Sequence, residues 1–269
     1  MPFIRARDLD ICYELPGEGP RLLVISGSGG DLRRTAATPS PLPDQFATLA
    51  YDQRGLGQTT IPDGPYTMAG YAEDADALLE ALGWGRCSVM GTSFGGMVAQ
   101  EFALRFPGRV ERLVLNCTSS GGTGKPSYPL HELQELAPEE RLRAQAAASD
   151  IRRTAEWQES HASEFETLLE QRRALAAIGA DEPRRELGSR LQLEARRHHD
   201  VYDRLPSLTM PVLVCSATHD GIAPPGNGRA IAAQIANARY EEFAGGHTFL
   251  TQDPRAYERI AAFLRGELD

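Results

Sequence analysis

Residues Gly91-Thr92-Ser93-Phe94-Gly95-Gly96 set a serine among small neighbours, between an apolar run and a helix-periodic stretch. A serine hydroxyl is a weak nucleophile until its surroundings activate it. A sharp turn from strand to helix does part of this. Small residues at Gly91 and Gly95 let the two elements approach each other. The turn then lifts the Ser93 hydroxyl to a helix N-terminus, where the dipole favours developing negative charge. The bare G-x-S-x-G pattern recurs by chance. Its place between a strand and a helix marks it as a nucleophile elbow.

Such a serine needs a base, and the base needs an acid to fix its tautomer. There are six histidines. His131, His161, His198 and His199 fall in a charged stretch and read as solvated surface. His131 lacks the second histidine of a zinc-protease helix, and the adjacent His198 and His199 point to different sides of a helix, so no metal site is expected. His247 follows Ala244-Gly245-Gly246 just past a strand, where α/β sheets present functional groups, and is the expected base. His219 reads as a loop neighbour. Asp220, beyond the apolar run Val212–Cys215, is the expected acid. Around Asn116-Cys117-Thr118-Ser119, the other place for one, there is no carboxylate.

An oxyanion hole needs two backbone N–H groups, one from the residue after the nucleophile. That is Phe94, and Ser28 in Gly27-Ser28-Gly29-Gly30 is the expected second donor. This glycine loop matches neither G-x-G-x-x-G nor a phosphate loop ending in Gly-Lys-Ser/Thr, so nucleotide binding is not expected. No cofactor is implied.

The elements that must carry these residues are legible in the pattern. Phe3–Ala6 and Leu9–Leu15 read as short strands, the second alternating apolar and polar residues. Leu22–Ile25 is a continuous apolar run of the kind buried on both faces of a parallel sheet, and Phe46–Tyr51, Cys87–Gly91, Val110–Cys117, Val212–Cys215 and Arg239–Phe243 read as further strands. Helical spacing follows Thr67, a candidate cap, and recurs over Met97–Phe106, Gly228–Ile235 and Pro254–Arg265. Between 131 and 204 the composition changes: 12 Arg and 16 Asp plus Glu are interleaved with Ala and Leu, with no strand pattern. Three or four inserted helices are expected there. The alternation of strands and helices means a mostly parallel sheet covered on both faces.

Composition excludes several functions. The 269 residues are 41% hydrophobic and 24% charged, with 28 Lys plus Arg against 37 Asp plus Glu, a formal charge of −9. That is ordinary globular composition, and its acidity argues against a nucleic-acid partner. No run is apolar enough for a membrane span, and the first residues lack a signal-peptide layout, so a cytoplasmic protein is expected. Cys12, Cys87, Cys117 and Cys215 show no metal-type spacing and read as reduced core thiols.

The order Ser93, Asp220, His247 resembles that of the α/β-hydrolase superfamily over nearly the whole chain. Asp52-Gln53-Arg54-Gly55-Leu56-Gly57-Gln58-Thr59 is similar to its structural D-x-R-G-x-G-x-S turn. His199-Asp200-x-x-Asp203-Arg204-Leu205-Pro206 resembles the end of the lid in its small esterase and lactonase members. There are two departures: Ser26-Gly27 stands where His-Gly is usual, and Ala217 stands where a glycine usually precedes the acid. The resemblance implies an α/β fold, a mostly parallel doubly wound sheet with an inserted helical lid. The core would be residues 1–120 and 206–269 and the lid 121–205, with Trp157 and Phe165 as substrate contacts. The implied activity is a serine hydrolase of a small or medium ester or lactone, working through an acyl-enzyme. Carbon–carbon hydrolysis, peracid formation and cofactor-free cyclisation remain open on the same triad, as does a ligand-binding protein with little turnover. The partner is a small-molecule substrate, and the oligomeric state is unreadable.

Overall fold

The computed structural model describes residues 1–35 and 40–268. Its strands are β1 (Phe3–Ala6), β2 (Leu9–Glu14), β3 (Arg21–Ile25), β4 (Ala47–Tyr51), β5 (Cys87–Thr92), β6 (Val110–Asn116), β7 (Val212–Ala217) and β8 (Ala238–Phe243). Its α-helices are α1 (Leu32–Thr35), α2 (Met68–Ala81), α3 (Phe94–Arg105), α4 (Pro138–Ala148), α5 (Ala155–Ser160), α6 (Ala162–Ala177), α7 (Arg185–Arg197), α8 (Pro225–Gln234), α9 (Phe249–Gln252) and α10 (Arg255–Leu264).

All eight strands lie in one sheet, in the order β1-β2-β4-β3-β5-β6-β7-β8. β2 is antiparallel to β1 and β4, and every pairing from β4 to β8 is parallel. Adjacent strand residues point to opposite faces. Leu23, Val89, Leu113 and Val212 therefore join the core beneath α2, α3 and α8. Their neighbours Leu22, Met90, Val114 and Leu213 join a second core under α9 and α10. Burial on both faces is why these strands read as continuous apolar runs.

Thr67 caps α2 as its position suggests, its hydroxyl accepting from Gly70 N–H at 3.0 Å. The helix expected from Met97 begins three residues earlier, at Phe94. Gly95 and Gly96 weaken the local helix signal, but the fold needs them small. A Cβ on Gly95 would stand 2.0 Å from the Ile25 carbonyl oxygen, and one on Gly96 would stand 2.6 Å from the Thr118 side chain. The short helices α1 and α9 carry no periodicity that a sequence could display.

Four helices, α4 to α7, lie between β6 and β7, where inserted helices are expected. Their chain returns to the core by a bridge between Gly121 and Asp200. That bridge corrects one expectation. His199 is not solvated surface but 6% exposed, because the pairing draws the chain after α7 against the end of β6. The four cysteines are free and buried.

Candidate active site

The parallel strands deliver their C-terminal ends to one edge of the sheet, and the loops there carry the polar groups singled out in the sequence. Ser93 follows β5 with φ 57 and ψ −118. A positive φ is costly for serine, of the order of 1–3 kcal/mol, and persists only where the surroundings impose it. Its N–H donates to Asn116 O at 2.8 Å, and its carbonyl accepts from Gly96 N–H at 2.9 Å and Thr118 Oγ1 at 2.8 Å. A Cβ at Gly91 would stand 2.3 Å from Gly95 O, so the strand and helix meet as closely as their glycines allow.

His247 comes to Ser93 from the loop after β8, with Nε2 2.9 Å from Ser93 Oγ. Its other ring nitrogen, Nδ1, lies 2.7 Å from Asp220 Oδ2. Asp220 is buried after β7, and its Oδ1 accepts from the N–H groups of Ile222 at 2.8 Å and Ala223 at 3.0 Å. Both carboxylate oxygens are therefore engaged, and Oδ2 is left facing the imidazole. Since a carboxylate only accepts, Nδ1 carries the proton and Nε2 is the free base toward the serine. Burial pushes the imidazole pKa down. The Cys117 sulfur and the Asp220 carboxylate outweigh it, and the net direction is up from the ordinary 6.5. His219 is a loop neighbour, its N–H donating to Gly245 O at 2.8 Å.

The Gly27–Gly30 loop packs against the serine: a Cβ on Gly27 would lie 3.4 Å from Ser93 Cβ. Gly30 N–H donates to Gly27 O at 3.2 Å, and Gly29 has φ +68, the signature of a type II turn. The peptide joining Gly27 to Ser28 is thereby tied at its carbonyl end. At its other end the Ser28 N–H meets no acceptor among the described residues, and neither does the Phe94 N–H. Where His-Gly is usual, Ser26 is held by Gln53, whose Nε2 donates to Ser26 O at 2.8 Å. Asp52 beside it accepts from Leu32 and Gln58 N–H groups, and burial pushes its carboxyl up to about 6. The turn Asp52–Thr59 thus anchors the chain following β3.

Trp157 and Phe165 are not brought to the triad. Trp157 stacks on His161 with ring centroids 4.7 Å apart and meets Phe165 edge-on at 6.3 Å. Phe165 is buried with Ala146 and Leu169, in a small core between α4 and α6. A different apolar cluster adjoins the acid: Leu130, Leu133 and Leu193 from the segment between β6 and β7 pack with Ile222, two residues past Asp220. Sequence spacing carries no sign of this. It also gives no sign of Thr118, which braces Ser93, or of Cys117, whose sulfur faces the His247 carbonyl at 3.5 Å. Cys117, Asp220 and His247 are the one group among the described residues able to hold a metal ion, with donor atoms within 4.8 Å of one another. Within this group His247 Nδ1 and Asp220 Oδ2 are already engaged with each other. A cavity of about 500 Å³ lined by Tyr66, Met68, Glu101, His199 and Arg204 includes no triad residue, so chemistry rather than cavity size designates the site.

A family description, the alpha/beta hydrolase fold, matches residues 20–254. The chain belongs to this family. The α/β-hydrolase is 28% identical to a putative carbamate hydrolase, RutD, of Caulobacter vibrioides, over 94% of this chain and 95% of that protein. Its structure is similar to that of the enol-lactonase of Burkholderia xenovorans, with a TM-score of 0.76 and 25% identity, covering 100% of this chain and 98% of that one. It is also similar to a hydrolase of Pseudomonas aeruginosa, with a TM-score of 0.75 and 30% identity, covering 98% and 97%. Among the described residues, no helix of the hydrolase is long and apolar enough to cross a membrane.

Proposed function

We propose that this α/β-hydrolase cleaves a small or medium carboxylic ester or lactone through an acyl-enzyme on Ser93. The observation that carries the reading is the continuous hydrogen-bonded chain from Ser93 Oγ through His247 to Asp220, at 2.9 and 2.7 Å. Ser93 Oγ attacks the carbonyl carbon as His247 Nε2 takes its proton. Asp220 holds the Nδ1 proton in place and stabilises the imidazolium. The N–H groups of Phe94 and Ser28 receive the negative charge that develops on the carbonyl oxygen, worth about 3–4 kcal/mol per donor in comparable sites. His247 then protonates the leaving group. Water, deprotonated by His247, releases the acid and restores the serine.

The similar proteins support the substrate class, since carbamates and lactones both present a carbonyl carbon bearing a heteroatom leaving group. Residues 121–205 serve as the lid. In support, Ser149 O at the end of α4 accepts from His247 N–H at 2.7 Å, and Ile151 N–H donates to His219 O at 2.9 Å. The apolar wall nearest the acid is Leu130, Leu133, Leu193 and Ile222, and these residues rather than Trp157 and Phe165 shape the pocket.

The test is a turnover screen of purified protein against acyl esters of graded chain length, lactones, carbamates and vinylogous diketones, beside labelling by a fluorophosphonate. Ester or lactone turnover with Ser93 as the labelled residue supports the reading. Turnover of the diketones alone would move it to carbon–carbon hydrolysis. No turnover and no labelling would leave a binding protein.

A further inference from the structure

The turn that carries Ser28 is gripped from outside the core sheet. Gly29 N–H donates to Gln192 Oε1 of α7 at 2.9 Å, and Gly29 O accepts from Arg34 Nη1 at 3.1 Å. The same Arg34 donates through Nη2 to Ile178 O at 2.9 Å, just past α6. Beside these, the fully buried Asp31 carboxylate pairs with Arg33 at 2.8 Å and Arg185 at 3.1 Å, and Arg33 reaches Glu182. Residues 29–34 of the core and 178–192 of the insert are thus stitched together at both ends.

Gln192 holds the decisive stitch. It is 1% exposed, and the donor it meets fixes its amide orientation, because only the oxygen accepts. Gly29 N–H belongs to the peptide linking Ser28 to Gly29, the central peptide of the turn. In a type II turn that peptide is rotated by about half a turn from its type I orientation, and glycine tolerates either. An acceptor on one side selects one of them. With the Gly30 N–H bond fixing the preceding peptide, both peptide planes flanking Ser28 are set, one by the turn itself and one by α7.

We propose that Gln192 is a positioning residue for the oxyanion hole: by holding Gly29 N–H it fixes the turn in which Ser28 N–H serves as donor. The inference rests on the reading of Ser28 as that donor. It makes α7 a determinant of reaction rate, separate from any role of the insert in choosing substrates. Without the acceptor the Ser28–Gly29 peptide loses the contact that selects its orientation, and the turn that presents the Ser28 N–H is loosened with it. A donor then displaced by about an ångström loses much of its effect on the transition state while ground-state binding is retained.

The experiment compares wild type with Gln192→Leu, using an activated ester, a trifluoromethyl ketone that forms a hemiketal on Ser93, and a fluorophosphonate. The expected result is a kcat lower by about 10- to 100-fold with KM within about threefold. The ketone should bind more weakly by the same factor, and phosphonylation should slow in proportion. A Gln192→Leu protein with wild-type kcat, or with the loss in KM alone, overturns the proposal. If that variant does not fold, Gln192→Asn, whose acceptor is one methylene short, is judged by the same criteria. Failure of wild type to be labelled at Ser93 would instead overturn the proposed function, so the two failures are distinguishable.

Discussion

Ser93 is held at φ 57 by groups on β6, on α3 and in the loop after β6, so its backbone is set by the fold rather than by its own hydroxyl. Ser93→Ala should therefore leave stability within about 1 kcal/mol and lower turnover by about 10³-fold or more. Steady-state kinetics beside a thermal melt would check both. Asp220→Asn should cost about 10⁴-fold, because an amide cannot hold the imidazole in the tautomer with Nε2 free. It should also move the pH profile in a definite direction. His247 must be neutral to act as base, and its pKa is raised above 6.5 by Cys117 and Asp220 against the burial that lowers it. The acid limb of kcat/KM in wild type should therefore lie above pH 6.5. In Asp220→Asn, with the carboxylate gone and the burial unchanged, it should shift to lower pH. A limb that stays in place would mean that another acid faces the histidine.

At the scale of elements, the sheet was legible because its central strands β3, β5, β6 and β7 are largely buried on both faces, and such runs stand out from a sequence in which little else is uniformly apolar. The three site residues were legible for a related reason: Ser93 and Asp220 each follow one of those runs, His247 follows the edge strand β8 through Gly245-Gly246, and the parallel pairing from β3 to β8 sends them all to one edge. The insert was not legible in the same way. Its helices are amphipathic, and the pattern gives a polar side and an apolar side without saying which neighbour the apolar side meets. Trp157 and Phe165 turned inward on α4 and α6 rather than toward the serine. Phe165→Ala should thus lower stability by about 3–4 kcal/mol, as for other fully buried aromatics, and leave the ranking of substrates unchanged. His199 shows the same limit. Burial, helped by the Arg204 charge, pushes its pKa down to about 3. Its folded value lies below its unfolded one, so the unfolded chain takes up the proton first. The stability contribution is whole above pH 6.5 and is lost as pH falls from there toward 3, at up to about 1.4 kcal/mol per pH unit. Denaturant titrations at several pH values should show a shallower acid loss in His199→Leu than in wild type.

Across the whole molecule, the proposed function divides chemistry and selectivity between two stretches of chain that meet at the site. In that proposal the core supplies the groups that act on the carbonyl. The segment between β6 and β7 reaches them at His247 through Ser149, at the acid loop through Leu193 and Ile222, and at the oxyanion turn through Gln192. Substituting Leu130 or Leu133 by Ala should change the ranking of acyl chain lengths by about 1–3 kcal/mol in kcat/KM without preventing the acylation of Ser93. Everything in this division depends on a covalent step at one oxygen. The direct measurement is peptide mass spectrometry after acid quench of an activated ester with the enzyme, run on wild type and on Ser93→Ala. The account predicts one acyl group on the wild-type peptide that contains Ser93 and none on the variant, together with loss of turnover. Hydrolysis that persists in Ser93→Ala, or an acyl group found on another residue, would contradict it.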